Sequence, residues 1–386
     1  MNPIPFVLAQ WRQSRSTLIA MAILIAVGCA ISLGVTAIER AVREASSRSA
    51  NRFDLIVGAA GSETQLVLST VYLQPAALKL MPMDVLTRLR ADPGVAQATP
   101  IATGDSFAGY AIVGTSAEFA SQQGQLKLAT GRWFDDHDEA VAGAATTLQV
   151  GDRYTPLHGS ANDNAIETQA HGGHSIRVVG RMPPTGTPWD KAILVPYESV
   201  LEMHHAGHQA GIPAIVVKPR SVMDAYRLRA TYRRGDTTAV FPAETLTALY
   251  RTLGDVRELV FWIASTGQAL VLAAVLLGLY ATLSANAQGL LALRAMGASR
   301  GFVWLTLWLQ AMTMLLLGAA LGVGCAALGI TVTATALSSR LGMGIDARLI
   351  GRDFWPLLLM LAAASLAAAA VAWRAYRTPL SRALRE

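Results

Sequence analysis

The chain has 386 residues, of which only 15% are charged and 52% hydrophobic, with a formal charge of +6. Only four residues are lysines (Lys79, Lys127, Lys191 and Lys218) and many arginines flank apolar stretches, so the basic balance does not mark a nucleic-acid binder. Cys29 and Cys325 both fall inside apolar stretches, which leaves the polar part of the chain without disulfides and dependent on its own packed core.

Four windows carry no Asp, Glu, Lys or Arg: Ser16–Ile38, Leu259–Leu293, Gly301–Ser339 and Phe354–Trp373. A spanning helix needs about 20 mainly apolar residues to cross a hydrocarbon core about 30 Å thick. One charge at the helix centre costs about 3 kcal/mol on insertion scales, so uninterrupted windows are what a membrane demands.

In chain order, residues 1–15 come first, and Pro3–Gln13 within them reads as a short interfacial helix. Residues 16–38 form the first predicted span. Its apolar stretch is longer than a signal-peptide core, so it is expected to stay as an anchor rather than be cleaved after Val35-Thr36-Ala37. Residues 39–258 form a large hydrophilic domain. It opens with a charged helix over Glu39–Arg52 and closes with an amphipathic helix over Thr245–Glu258, a pair expected to form a stalk. Between them, Asp54–Val57, Ala111–Gly114, Ile176–Val179, Ala192–Val195 and Ala214–Val217 are β-branched runs bounded by Gly, Pro or charge, hence strands. Pro82–Ala91 and Tyr197–His205 carry helical periodicity, and Ala145–Gly173 reads as loop. Residues 259–285, 303–331 and 354–373 are the remaining spans. A link of 286–300 joins the second to the third, 332–353 joins the third to the fourth, and 374–386 is a tail. The fold class is therefore an integral membrane α-helical protein of four transmembrane helices, with a mixed α/β domain inserted between the first two.

Orientation follows from arginines near the span ends. Arg12 and Arg15 precede the first span, Arg294 and Arg300 lie in the link 286–300, and Arg374, Arg377, Arg382 and Arg385 follow the fourth. One arrangement puts all of these in the cytoplasm, with both termini inside and the large domain outside. Arg340, Arg348 and Arg352 are a minority on the other side.

The link between spans two and three reads Leu293-Arg294-Ala295-Met296-Gly297-Ala298-Ser299-Arg300. This resembles the cytoplasmic helix of ABC transporter permeases of the MacB/FtsX/LolC type, where a segment like E-I-x-x-L-R-A-L-G-A follows the second span. Here the usual acidic residue at its start is replaced by Gln288 or Gly289. The resemblance continues through Gly131-Arg132-Trp133-Phe134, Glu139-Ala140-Val141-Ala142-Gly143 and Leu148-Gln149-Val150-Gly151-Asp152. Val178-Val179-Gly180, Pro184-Thr185-Gly186-Thr187 and Asp190-Lys191-Ala192-Ile193-Leu194-Val195-Pro196 complete it, so that it covers nearly the whole chain.

The resemblance implies a bacterial inner-membrane permease with a periplasmic domain. Residues Leu293 to Arg300 would couple to a cytoplasmic ATPase dimer that supplies ATP and Mg, and the task would be export, extraction or mechanotransmission. It implies a second copy of the chain as partner, since one four-span set is present where larger relatives carry two. Membrane lipid and a periplasmic adaptor or substrate protein are the other expected partners. A Walker A loop needs a Gly-Lys step and none of the four lysines follows Gly, so no cofactor and no catalytic residue is expected in this chain. H-E-x-x-H and G-x-S-x-G are also absent.

All seven histidines fall in the hydrophilic domain. His171, His174, His204, His205 and His208 have spacings that suit a first-row metal such as zinc, and flexible polar loops without a metal remain the competing reading. Asp135–Glu139 reads as a solvated turn. Two other functions stay open: a relay that regulates a periplasmic partner without transport, and a metal-sensing receptor with no ATPase.

Overall fold

The structure, a computed structural model, describes residues 3–13, 15–158, 175–204, 211–252, 254–285 and 297–377. It divides into two compact units. The first comprises Met1–Val42, Gly254–Ala336 and Asp346–Glu386, and the second comprises Arg43–Leu253 with Leu337–Ile345.

The described helices are α1 (Ile4–Gln13), α2 (Arg15–Ala50), α3 (Glu63–Tyr72), α4 (Met83–Ala91), α5 (Ala117–Ala120) and α6 (Tyr197–His204). They continue with α7 (Val222–Tyr232), α8 (Pro242–Thr252), α9 (Gly254–Ala285), α10 (Arg300–Leu341) and α11 (Phe354–Arg377). Four stretches are long and apolar enough to cross a membrane: Leu18–Ala50 of α2, Phe261–Gly278 of α9, Gly301–Arg340 of α10, and Gly351–Trp373, which runs from a short 3-10 turn into α11.

In the first unit, α2 packs through small residues. A Cβ at Gly28 would sit 2.7 Å from the Gly267 carbonyl oxygen of α9, and one at Gly322 of α10 would sit 2.8 Å from the Ala26 carbonyl oxygen. Lipid tails are as apolar as leucine, so close backbone approach rather than a hydrophobic drive holds such helices together. Ile25, Cys29, Leu33 and Ala37 of α2 are buried along this seam. Leu316, Leu328, Val332 and Leu366 point outward, as lipid-facing side chains do. Trp304 of α10 donates its indole N–H to the Ala369 carbonyl of α11 at 3.2 Å.

The second unit is mixed α/β, built on one large sheet. Its strands are β1 (Leu55–Ala59), β3 (Val95–Phe107), β4 (Tyr110–Thr115), β5 (Thr130–Gly131), β6 (Glu139–Ala142), β7 (Arg153–Tyr154), β8 (Leu157–His158), β9 (Ile176–Arg181), β10 (Ala192–Pro196), β12 (Ala214–Pro219) and β13 (Thr237–Val240). The strand order is β13-β1-β12-β3-β4-β10-β6-β9-β5, with β8 beside β3 and β7 beside β9. The pairs β10/β4 and β6/β9 are parallel and the other pairs are antiparallel. A separate ribbon pairs β2 (Met81–Pro82) with β11 (Gly211–Ile212).

Strand alternation divides the apolar residues between two cores. Leu55 and Val57 enter the first with Val85, Leu86 and Leu89 of α4, Val200 of α6 and Leu228 of α7. Ile56 enters the second with Leu66, Val67 and Val71 of α3 and with Trp189. A strand buried on both faces reads as a continuous apolar run, which is why Asp54–Val57 and Ala214–Val217 stood out in the sequence.

The helix expected over Thr245–Glu258 falls on α8 and α9, which cover it except for residue 253, outside the described residues. Two other expectations need revision. The third apolar helix does not stop near residue 331 but runs on to Leu341, because Thr331–Ser339 contains neither Gly nor Pro to end it. The region Ala145–Gly173 is not wholly loop: β7 and β8 lie in it, and residues 159–174 lie outside the described residues.

Candidate coupling site

Of the predicted coupling segment, Leu293, Arg294, Ala295 and Met296 lie outside the described residues. Gly297 has φ +90°, a conformation that an L side chain rarely adopts. Ser299 then opens α10, its Oγ accepting from the Phe302 N–H at 3.3 Å. Arg300 is the first residue of α10. Glycine is thus dictated at 297 by the backbone, and serine at 299 by the helix it caps.

In the first unit, Arg40 of α2 reaches the segment before α11. Its Nη2 lies 3.0 Å from Asp353 Oδ2 and also donates to the Arg348 carbonyl. Asp353 is buried and accepts from the Ile350 N–H at 2.9 Å. This bond and ion pair give the buried carboxylate the partners that burial of a polar group requires.

The second unit contains a denser constellation over Pro183–Lys191. Asp190 is buried and takes four hydrogen bonds from the loop just before it. Thr185 donates its N–H at 2.9 Å to Oδ1 and at 3.0 Å to Oδ2, and its hydroxyl to Oδ1 at 2.6 Å; Gly186 donates its N–H to Oδ2 at 2.8 Å. The loop so shaped receives the Leu337–Ile345 segment: the Gly344 N–H donates to the Gly186 carbonyl at 3.1 Å, and Lys191 Nζ donates to the Ser339 carbonyl. Arg52, just beyond the end of α2, lies over the Trp189 ring with its guanidinium carbon 5.8 Å from the ring centroid. Burial pulls the Arg52 guanidinium below its usual range, and the negative charge of Asp190 opposes that fall. Tyr72 of α3 donates its hydroxyl to the Ser46 carbonyl of α2 at 2.9 Å. One end of α2 and the segment after α10 thus meet the same loop of the α/β unit.

Two of the other sequence blocks shape the packing around β5, β6 and β9. Gly131 has φ +78°, and a Cβ there would lie 2.2 Å from the Val179 carbonyl oxygen of β9. Arg132 pairs with Glu139 through both carboxylate oxygens, and this bond holds the Glu139 carboxyl below the usual carboxylate range. The turn Asp135–Glu139 is solvent-exposed as expected, and it is also tied, since the Asp135 N–H donates to Glu139 at 3.0 Å.

Of the predicted metal ligands, His171, His174, His205 and His208 lie outside the described residues, and His204 is the last residue of α6. Among the described residues, no group of three or more His, Cys, Asp or Glu is placed to hold a metal. His137, which sequence reasoning did not select, pairs its Nδ1 with Glu202 Oε1 of α6 at 2.8 Å. Glu202 raises the His137 pKa above its usual 6.5, helped by the charges of Glu198 and Asp136. A raised folded pKa means stability that is fully present below about 6.5 and lost as pH rises through the folded value. The stability difference between the wild type and His137→Ala is therefore expected to be largest in mild acid and to vanish in mild alkali. Thermal melts across that range check it, and a difference that does not change with pH would count against the pair.

A family model described as the MacB-like periplasmic core domain matches residues 16–234. Among solved structures, the chain is similar to the periplasmic region of MacB from Actinobacillus actinomycetemcomitans, at 14% identity and a TM-score of 0.35, over 52% of this chain and 95% of that one. It is also similar to the extracellular domain of the noncanonic ABC-type transporter YknZ from Gram-positive bacteria, at 15% identity and a TM-score of 0.30, over 48% of this chain and 98% of that one. No curated protein matches.

Proposed function

The chain belongs to the MacB/FtsX-like family of ABC transporter permeases, whose MacB-like periplasmic core domain it carries, and from that premise we propose that it works as an ATP-driven transmitter across the bacterial inner membrane. A separate cytoplasmic ATPase dimer docks on Leu293–Arg300 of two copies of the chain. Closure of that dimer moves the four apolar helices, and the periplasmic domain changes shape. In this reading both termini lie in the cytoplasm, which the excess of arginines flanking the spans on that side supports.

The observation that carries this reading is the loop 183–191, where the ends of two apolar helices converge. Arg48, near the end of α2, comes within 3.0 Å of where a Cβ on Gly186 would lie, and the segment following α10 bonds to the same glycine. A shift of either helix therefore acts directly on a loop that leads into β10, a central strand of the sheet. The spans carry no Asp, Glu, Lys or Arg in their apolar windows, which favours export, extraction or mechanical transmission over conduction of a polar solute through the bundle.

The test is co-purification of the full-length chain with candidate ATPases, followed by ATP hydrolysis with and without zinc. A stable complex is the expected result, and no ATPase partner would turn the reading toward a receptor. Turnover that responds to zinc would promote His171, His174, His204, His205 and His208 to a regulatory site. Turnover indifferent to zinc would leave them as polar loop.

A further inference from the structure

One cavity of the α/β unit is unused by the coupling described above. It has a volume of about 310 Å³ and lies where β3, β12, α5 and the end of α2 meet. Ligand pockets start near this size and are mostly apolar, whereas this one is lined chiefly by amides and charges. Strand alternation turns Gln97 and Thr99 of β3 to one side, and the register sets them beside Lys218 and Val216 of β12. The wall formed by the turn after α5 is shaped in advance. Gln122, Gln123 and Gly124 all have positive φ, at 52°, 61° and 82°, a strain that non-glycine residues bear only where the surroundings impose it. Gln123 is fixed from both sides, donating to Gln97 Oε1 at 3.1 Å and accepting from Lys218 Nζ at 2.9 Å.

The inner wall carries Arg52. Its Nε and Nη1 are buried and find no hydrogen-bond acceptor among the described residues. The carboxylate oxygens of Asp190, whose charge acts on Arg52, are already engaged by Thr185 and Gly186. The guanidinium charge is thus under-compensated in a place of low dielectric, where an anion is attracted much more strongly than in water. Asp54 and Glu118 also line the cavity and are exposed, so their fields are screened by solvent as that of Arg52 is not.

We infer that this cavity is a binding site for a small polar solute bearing a carboxylate and amide groups, with Arg52 as the electrostatic anchor and Gln97 and Gln123 as partners for the amides. A short peptide with a free C-terminus is the simplest compound of that class. Because Asn51 and Arg52 follow directly on α2, an occupant would tie the end of that helix to the sheet. The site is independent of whether an ATPase docks.

The experiment uses the purified full-length chain in detergent and two probes, N-acetyl-glycylglycine and its neutral C-terminal amide, followed by titration calorimetry. The acid is expected to bind saturably and about tenfold or more tightly than the amide, a gap of about 1.4 kcal/mol. Arg52→Gln should remove that preference. Since Arg52 also packs on Trp189 and its loss can unfold the domain, Gln97→Ala gives a second reading. It should weaken the acid about tenfold and leave the melting temperature unchanged. Absence of saturable binding, equal affinity for acid and amide, or an unchanged affinity in a folded Gln97→Ala protein would each overturn the assignment.

Discussion

Asp190→Ala is expected to destabilise the α/β domain by about 3–5 kcal/mol, the range seen when one partner of a buried charged network is removed. The substitution strips the loop of four hydrogen bonds at once and leaves the N–H groups of Thr185 and Gly186 without their acceptor. It also takes away the charge that opposes desolvation of Arg52. For a domain of this size a loss of that magnitude lowers the melting temperature by about 6–20 °C. Asp190→Asn should fall between, because an amide keeps one acceptor oxygen but no charge. The loop also positions Gly186, on which the Gly344 N–H is seated, so ATP-coupled activity should fall further than stability alone predicts. A melting temperature within about 2 °C of wild type would show that the loop is held by something other than Asp190.

Replacing Met296 with Asp and Gly297 with Trp together should abolish association with the ATPase and leave membrane insertion intact. Two physical effects combine. Aspartate puts a charge on a face expected to make apolar contact, and tryptophan at φ +90° strains the backbone that leads into α10. Ser299→Ala is the matching control: it removes a cap bond to Phe302 worth about 1 kcal/mol and should leave association in place. Unchanged co-purification of the double variant would remove the coupling role from this segment.

Much of the fold was legible because both environments leave a strong mark on sequence. The apolar windows follow from the cost of charge in lipid. The doubly buried strands β1, β10 and β12 read as unbroken apolar runs because each packs on both faces. Other elements were hidden for physical reasons. β3 contains Pro100 and Gly104 and is interrupted by a register shift between Thr103 and Asp105, so it lacks a clean alternation. The sequence of α3 contains Val and Thr, poor helix formers, and its one local mark is the cap Ser62, which accepts from the Gln65 N–H and was not read as a helix start. α7 is capped in the same way by Ser221.

The candidate site divides along the same line. Gly297 and Ser299 could be picked out from a local pattern, because a local backbone turn requires them. The contacts among Arg52, Trp189, Asp190 and Gly344 join segments far apart in sequence, and no short window contains them. Pro184-Thr185-Gly186-Thr187 and Asp190 were visible as a motif, but their meaning was not. Only the fold shows that the aspartate organises its own preceding loop and that the loop receives the segment after α10.

The central claim is that an ATPase cycle in the cytoplasm reshapes the periplasmic domain through this chain. Its most direct test is a distance measurement by pulsed electron paramagnetic resonance on the reconstituted complex. One spin label would be placed on each copy at Met223→Cys, an exposed position on α7, with Cys29 and Cys325 replaced by alanine. The account predicts a distance distribution that differs between ATP-bound and nucleotide-free states, and that difference should disappear when the ATPase is left out. A distribution identical in every nucleotide state, with the ATPase bound and hydrolysing, would contradict it.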